Sequence, residues 1–227
     1  MAVSRYTLSC KSGWVPSNHE KYERFKDTLM HGEDWGMGLK YFAMYWINLG
    51  YLGGVKRLYS PMFENGPSPM IEDGQLYHAE RNLLDHLVLQ LSALRWDSVR
   101  GLVILQNASP CSRCSREYKD KLGAIARNGV PVTIVFSSFY NIRRPSCVKD
   151  SHSHLSDILE EQSFSHLQEL KNLKAANILL ETTELKDWKR LREALQLPNT
   201  FNEEVYRLSA RKREDDALKE DLRLLMR

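Results

Sequence analysis

The 227-residue chain has only four cysteines, which is no disulfide framework if two of them serve another purpose. That scarcity points to a reducing, intracellular setting, cytoplasmic or nuclear. No apolar run approaches the roughly 20 residues that cross a bilayer. Met1 to Lys11 lacks the apolar core of a signal peptide, so no membrane partner is expected. Charge of one sign is scarce too. Lys and Arg total 32 against 29 Asp and Glu, a net charge of +3 that does not by itself argue for a polyanionic partner. Internal repeats and low-complexity tracts are absent, which excludes a solenoid or a disordered tether.

Against that ordinary background stand two short motifs about thirty residues apart: His78-Ala79-Glu80 and Pro110-Cys111-Ser112-Arg113-Cys114. One imidazole and two thiolates form the donor set of a catalytic zinc site, which leaves a fourth tetrahedral position open. The pattern H-x-E…P-C-x-x-C is the signature of zinc-dependent base deaminases. A C-x-x-C pair alone is weak evidence, but the surrounding elements strengthen it. Leu83, Leu84, Leu87, Val88, Leu91 and Leu94 recur at helical spacing, so Tyr77 to Trp96 reads as a helix with His78 and Glu80 in its first turn. Gly101 to Leu105 reads as a buried strand, and Pro110 suits the start of a second helix, where its missing N–H costs nothing. Cys111 and Cys114 then share a face at a helix start, and the helix dipole favours their thiolates. Glu80, two residues from His78, points elsewhere around the helix, as befits a base beside the metal. The alternative is a capping histidine with a structural cysteine pair.

The remaining elements follow in order. Ser17 to Glu20 matches a capping box that opens a helix to about Met30, and a Gly-rich loop with Trp35 runs from His31 to Gly38. Leu39 to Leu49 and Val55 to Phe63 read as a strand hairpin, and Glu64 to Gln75 as a loop. The second motif helix ends near Asn128-Gly129, and Val130 to Phe136 is a strand. Leu155 to Lys174 is a helix, Ala176 to Glu181 a fifth strand, and Leu185 to Leu195 and Phe201 to Leu225 two closing helices. A helix between the fourth and fifth strands makes them parallel. The expected fold is therefore α/β: a mixed five-stranded sheet with about six helices on both faces. Residues 1–16 are an N-terminal segment, 17–198 the main domain, and 199–227 a helical extension packed on or trailing it.

With these elements placed, residues 17 to 198 resemble the AID/APOBEC branch of zinc-dependent polynucleotide cytidine deaminases, as a divergent member. Ser109-Pro110-Cys111 matches the family's Ser-Pro-Cys, and Val132 to Tyr140 looks like its fourth strand running into the substrate loop. The crossover helix before Ile178-Leu179-Leu180 is present, and Leu185 to Trp188 resembles the segment after the fifth strand. The resemblance implies a cytidine-deaminase-like fold, zinc on His78, Cys111 and Cys114, and Glu80 shuttling protons while water activated by the metal attacks cytosine C4. It also implies substrate contacts at Ser109 and Tyr140. Two departures bear on base and sugar preference: Ala108 stands where the family usually has a tryptophan, and loop 31–38 lacks the usual asparagine. Trp35 and His31 are the candidate substitutes.

Substrate choice rests on charge distribution. Between Pro110 and Asp150, eight Lys/Arg face three acids, an excess of five, and Arg143 and Arg144 follow Tyr140 closely. An aromatic beside two guanidiniums suits single-stranded nucleic acid. DNA is favoured over RNA as the partner, and a monomer over an oligomer. Glu64, Glu72 and Asp73, in the loop ahead of His78, favour the rival reading of a free nucleoside or nucleotide deaminase. A third reading is an inactive zinc-containing nucleic-acid-binding protein. Leu218, Leu222 and Leu225 are expected to face the core rather than form an export signal.

Overall fold

The computed structural model describes residues 41–51, 54–67, 76–146, 160–196 and 203–227. The expected N-terminal segment, the helix from Ser17, Trp35 and Cys147 lie outside these residues.

Strand β1 (Phe42–Tyr51) pairs antiparallel with β2 (Gly54–Tyr59), which is the expected hairpin. The second strand does not run on to Phe63. Pro61 has no N–H to give to a ladder, and the chain leaves β1 there and returns as the two-residue β3 (Phe63–Glu64), again on β1. Ser60 bridges the gap: its Oγ accepts from Tyr45 N at 2.9 Å. The expected loop 64–75 contributes half of a small ladder, β4 (Gly66–Pro67) against β5 (Leu76–Tyr77).

Helix α1 (Ala79–Ser92) follows, shorter at both ends than the expected 77–96. Tyr77 is held in β5, and the chain beyond Ser92 turns through Arg95 and Asp97, which pair at 2.7 Å, into a 3₁₀ turn at Trp96–Ser98. Then come β6 (Val99–Gln106), α2 (Ser112–Arg127), β7 (Val132–Phe136), α3 (Glu160–Ala175) and β8 (Ile178–Thr182). Helix α2 stops at Asn128 and Gly129, whose φ of 81° suits a residue without a Cβ. The main sheet is ordered β2-β1-β6-β7-β8, with β3 as a sixth, partial strand; β6, β7 and β8 are parallel, and β1 is antiparallel to β6. Helix α4 (Leu185–Ala194) begins with a capping box between Glu184 and Asp187.

The closing segment is two helices rather than one: α5 (Glu203–Leu208) and α6 (Ala210–Leu225). Ser209 breaks them because its hydroxyl caps α6 by accepting from Lys212 N at 3.2 Å. The described residues thus hold six α-helices.

The sheet is apolar on both faces, as its parallel half requires. Tyr45, Ile47, Ile104, Ile134 and Phe136 pack with Leu83, Leu84 and Leu87 of α1 and with Leu170 and Leu173 of α3. Alternate residues Phe42, Met44, Trp46, Leu105 and Val135 pack with Trp188 and Leu191 of α4 and Tyr206 of α5. Leu218 and Leu222 of α6 are buried, as a core stripe should be. Among the described residues no helix is long and apolar enough to cross a membrane.

Candidate metal centre

The parallel strands β6 and β7 end side by side, and the residues just beyond their carboxyl ends are laced together, at the edge where open α/β sheets bind ligands. Asn107 Oδ1 accepts from Phe42 N at 2.8 Å, and Asn107 O accepts from the hydroxyls of Ser137 and Ser138, each at 2.8 Å. Ser109 N donates to Ser138 O at 2.8 Å, and Ser109 Oγ accepts from Tyr140 N at 2.9 Å. Two loops, 107–111 and 137–141, thereby form one rigid floor. Beneath it, the buried Tyr118 donates to Gln106 Oε1 at 3.0 Å, and Gln106 donates to Ala108 O at 2.6 Å. Ala108 is itself buried.

On this floor His78, Cys111 and Cys114 meet, their ligand atoms all within 4.8 Å of one another. His78 is the N-cap of α1, with extended backbone. Its Nδ1 lies 3.2 Å from Cys114 Sγ and 3.6 Å from Cys111 Sγ. A tetrahedral zinc with ordinary Zn–N and Zn–S bonds needs N···S separations of roughly 3.5 Å. The three side chains therefore fit such an ion in both donor type and spacing. Pro110 is not the first helical residue. Cys111 takes the N-cap of α2, and its sulfur accepts from Cys114 N at 3.5 Å, so the thiol fills the capping role and Pro110 precedes it.

The three groups are electrostatically coupled, and their shifts differ in direction. A hydrogen bond from Cys114 holds the Cys111 thiol well below its ordinary pKa against the opposing effect of burial, and one with His78 adds to the lowering. Cys114 is raised as the donor of that bond and by burial, and His78 is raised first by its bond to Cys111. Glu80, in the first turn of α1, is nine-tenths buried against this cluster, and burial lifts its carboxyl to about 7. It hydrogen-bonds with Cys114 but stays outside the three-residue ligand group.

The other expected site residues are placed as follows. Ser109 is buried, with its hydroxyl committed to Tyr140 N. Tyr140 is half-buried; Tyr41 meets it edge-on at 5.5 Å, and Asn141 after it turns the chain at φ 46°, a conformation asparagine tolerates. Arg143 is exposed, and its N–H donates to Ser163 Oγ of α3 at 3.0 Å. Arg144 departs from the expected pair of loop cations. Its Nε donates to Asp221 at 2.8 Å and its Nη1 to Glu214, both on α6, while Ser146 N and Oγ also bond Asp221, at 2.9 and 2.6 Å. Arg144 ties the loop down. Other members of the basic run are likewise paired: Arg113 with Glu117, Arg116 with Glu169, and Lys121 with Asp85. Trp35, Glu72 and Asp73 lie outside the described residues.

Sequence reasoning missed two groups near this floor. One is His166 of α3, stacked on Tyr140. The other is the buried Arg211–Asp215 pair of α6, whose Arg211 donates to Ser137 O at 3.0 Å. His166 has no local sequence mark, and the i,i+4 spacing of Arg211 and Asp215 marks a helical pair but not its burial. No protein-family model matches the chain, and no curated protein is similar to it.

Proposed function

We propose that the chain is a hydrolytic metalloenzyme, and more specifically a zinc-dependent deaminase that converts cytosine to uracil in single-stranded nucleic acid, with DNA preferred. One observation carries the reading: a His-Cys-Cys group fit for zinc has a buried carboxylate, Glu80, set against it. A purely structural site has no use for that carboxylate. The resemblance to AID/APOBEC-like deaminases supplies the substrate class.

His78, Cys111 and Cys114 would hold the ion. Zinc there would supply Lewis-acid activation of a water molecule near neutral pH. Glu80 accepts a proton from the attacking water and delivers it to cytosine N3; it then carries the remaining proton of the new C4 hydroxyl to the exocyclic amine, which leaves as ammonia while the C4 carbonyl forms. Its burial matches this task, because a carboxyl that gains and loses a proton near neutrality serves in both directions. Tyr140 and Tyr41 offer aromatic surface to a base turned out of its strand. The lacing of Ser109 to Tyr140 keeps that surface in register with the metal ligands.

A second reading, deamination of a free nucleoside or nucleotide, is favoured by the pairing of Arg113, Arg116 and Arg144 with carboxylates, which leaves less cationic surface for a phosphate run. One experiment separates the two. Purified, zinc-loaded protein is incubated with cytosine-containing single-stranded DNA, matching RNA, cytidine and deoxycytidine monophosphate. Uracil in the DNA alone is the expected result. Product from the monomers alone establishes the second reading, and no product from any substrate removes the deaminase assignment.

A further inference from the structure

We propose that His166 is a positioning residue that sets the plane in which Tyr140 meets an incoming base; this rests on the deaminase reading above. Helix α3 is the crossover between β7 and β8, and Leu170 and Leu173 are fully buried in the core, which fixes its height and rotation. One turn nearer its N-terminus the same helix holds the substrate loop at two points. Ser163 Oγ accepts from Arg143 N at 3.0 Å, and the His166 ring lies parallel to Tyr140, centroids 5.3 Å apart and planes 13° apart. Tyr41 approaches Tyr140 at 73°. Stacked on one face by the imidazole and met edge-on by Tyr41, the Tyr140 ring cannot tip out of its plane without losing a contact. Its main chain is fixed at the same time by the bond to Ser109. The loop thus contributes the tyrosine, and α3 contributes its orientation.

The His166 ring face carries this role. Among the described residues, the buried Nδ1 of His166 has no hydrogen-bond partner, so it makes no directional contact with them. Burial also holds the imidazole below its ordinary pKa, and the stack is therefore one of neutral rings. A phenyl ring in the same place keeps the stack and drops the unpaired nitrogen. An aliphatic or small side chain keeps neither the plane nor its contact.

The test measures KM, kcat and zinc content for a single-cytosine oligonucleotide with wild type, His166→Ala and His166→Phe. Loss of one aromatic pair predicts a KM raised about two- to tenfold in His166→Ala, with kcat and zinc unchanged, and wild-type KM in His166→Phe. If His166→Ala does not fold, His166→Gln, which fills space without an aromatic ring, takes its place. Unchanged KM without the aromatic ring, or a phenylalanine variant as impaired as the ringless one, overturns the proposal. If wild type deaminates nothing, the deaminase reading fails by itself, and the orientation of Tyr140 is still read by NMR. The Tyr140 ring protons, identified by their loss in Tyr140→Phe, should be shifted by the imidazole face in wild type and His166→Phe but not in His166→Ala. A shift unaffected in His166→Ala overturns the stacking role.

Discussion

On the proposed reading, Glu80 and the three candidate metal ligands divide the chemistry between groups that hold and one group that moves a proton, and single substitutions should separate the two. Glu80→Gln keeps the size and hydrogen-bonding shape of the side chain but cannot carry a proton. Zinc content should stay near one per chain while turnover falls about 10²–10⁴-fold or more. Cys111→Ala removes both a ligand and the α2 cap, so zinc measured by elemental analysis should fall sharply. Zinc fully retained in Cys111→Ala would remove the site. A second titration lies far from the metal in sequence. Asp187 is almost wholly buried at the start of α4, where it accepts from Glu184 N and Arg190, and burial raises its carboxyl from 3.8 to about 6. Because the folded pKa lies above the unfolded one, the folded state binds more protons between about pH 4 and 6. The stabilisation from protonated Asp187 is therefore complete below pH 4 and lost as pH rises through 6. Its size is on the order of 1–3 kcal/mol. Asp187→Asn should flatten that part of the stability–pH curve in denaturant melts, and an unchanged slope would assign it to other groups.

At the scale of elements, α6 is the part whose role the sequence concealed. It brings Arg211 and Asp215 into complete burial, and Asp215 accepts from Thr183, Trp188, Tyr206 and Arg211 at 2.6–2.8 Å. One carboxylate so joins the end of β8 to α4, α5 and α6. Removing it strands a buried guanidinium, which typically costs about 3–5 kcal/mol. Asp215→Ala should lower stability by that order in urea melts, whereas a surface change such as Asp216→Ala should cost little. The helix signals themselves were legible: leucine spacing for α1, Pro110 for the approach to α2, and Asn128-Gly129 for its end. The errors fell at boundaries. Pro61 split a strand and Ser209 split a helix, because a missing backbone donor in the one case and a side-chain cap in the other outweighed continuous apolar patterning.

For the molecule as a whole, the basic run from Pro110 to Asp150 means less in three dimensions than in one. Its local excess of five positive charges is offset by Asp85, Glu169, Glu214 and Asp221, supplied by α1, α3 and α6. Arg143 and Arg144, adjacent in sequence, should consequently behave differently. Arg143→Ala should weaken single-stranded DNA binding and reduce the salt slope by about 0.7 if it meets one phosphate. Arg144→Ala should leave that slope nearly unchanged and instead destabilise the loop and α6, because Asp221 and Glu214 lose their partner. Equal effects of the two variants on the salt slope would count against this division. The sequence by itself determined the two motifs that carry the His-Cys-Cys group, the carboxylate in the first of them and the order of the principal strands and helices, since each motif or element is written in residues a few positions apart. That the two motifs meet, across 33 to 36 positions, was readable only because the pair is a known pattern. Only the tertiary structure decided that Arg144 is a tether, that Ser109 and Tyr140 are joined, and that His166 lies against the tyrosine. Those contacts span 26 to 77 positions along the chain. Pairing at that distance leaves no periodicity to read, because it is chosen by the packing of whole elements.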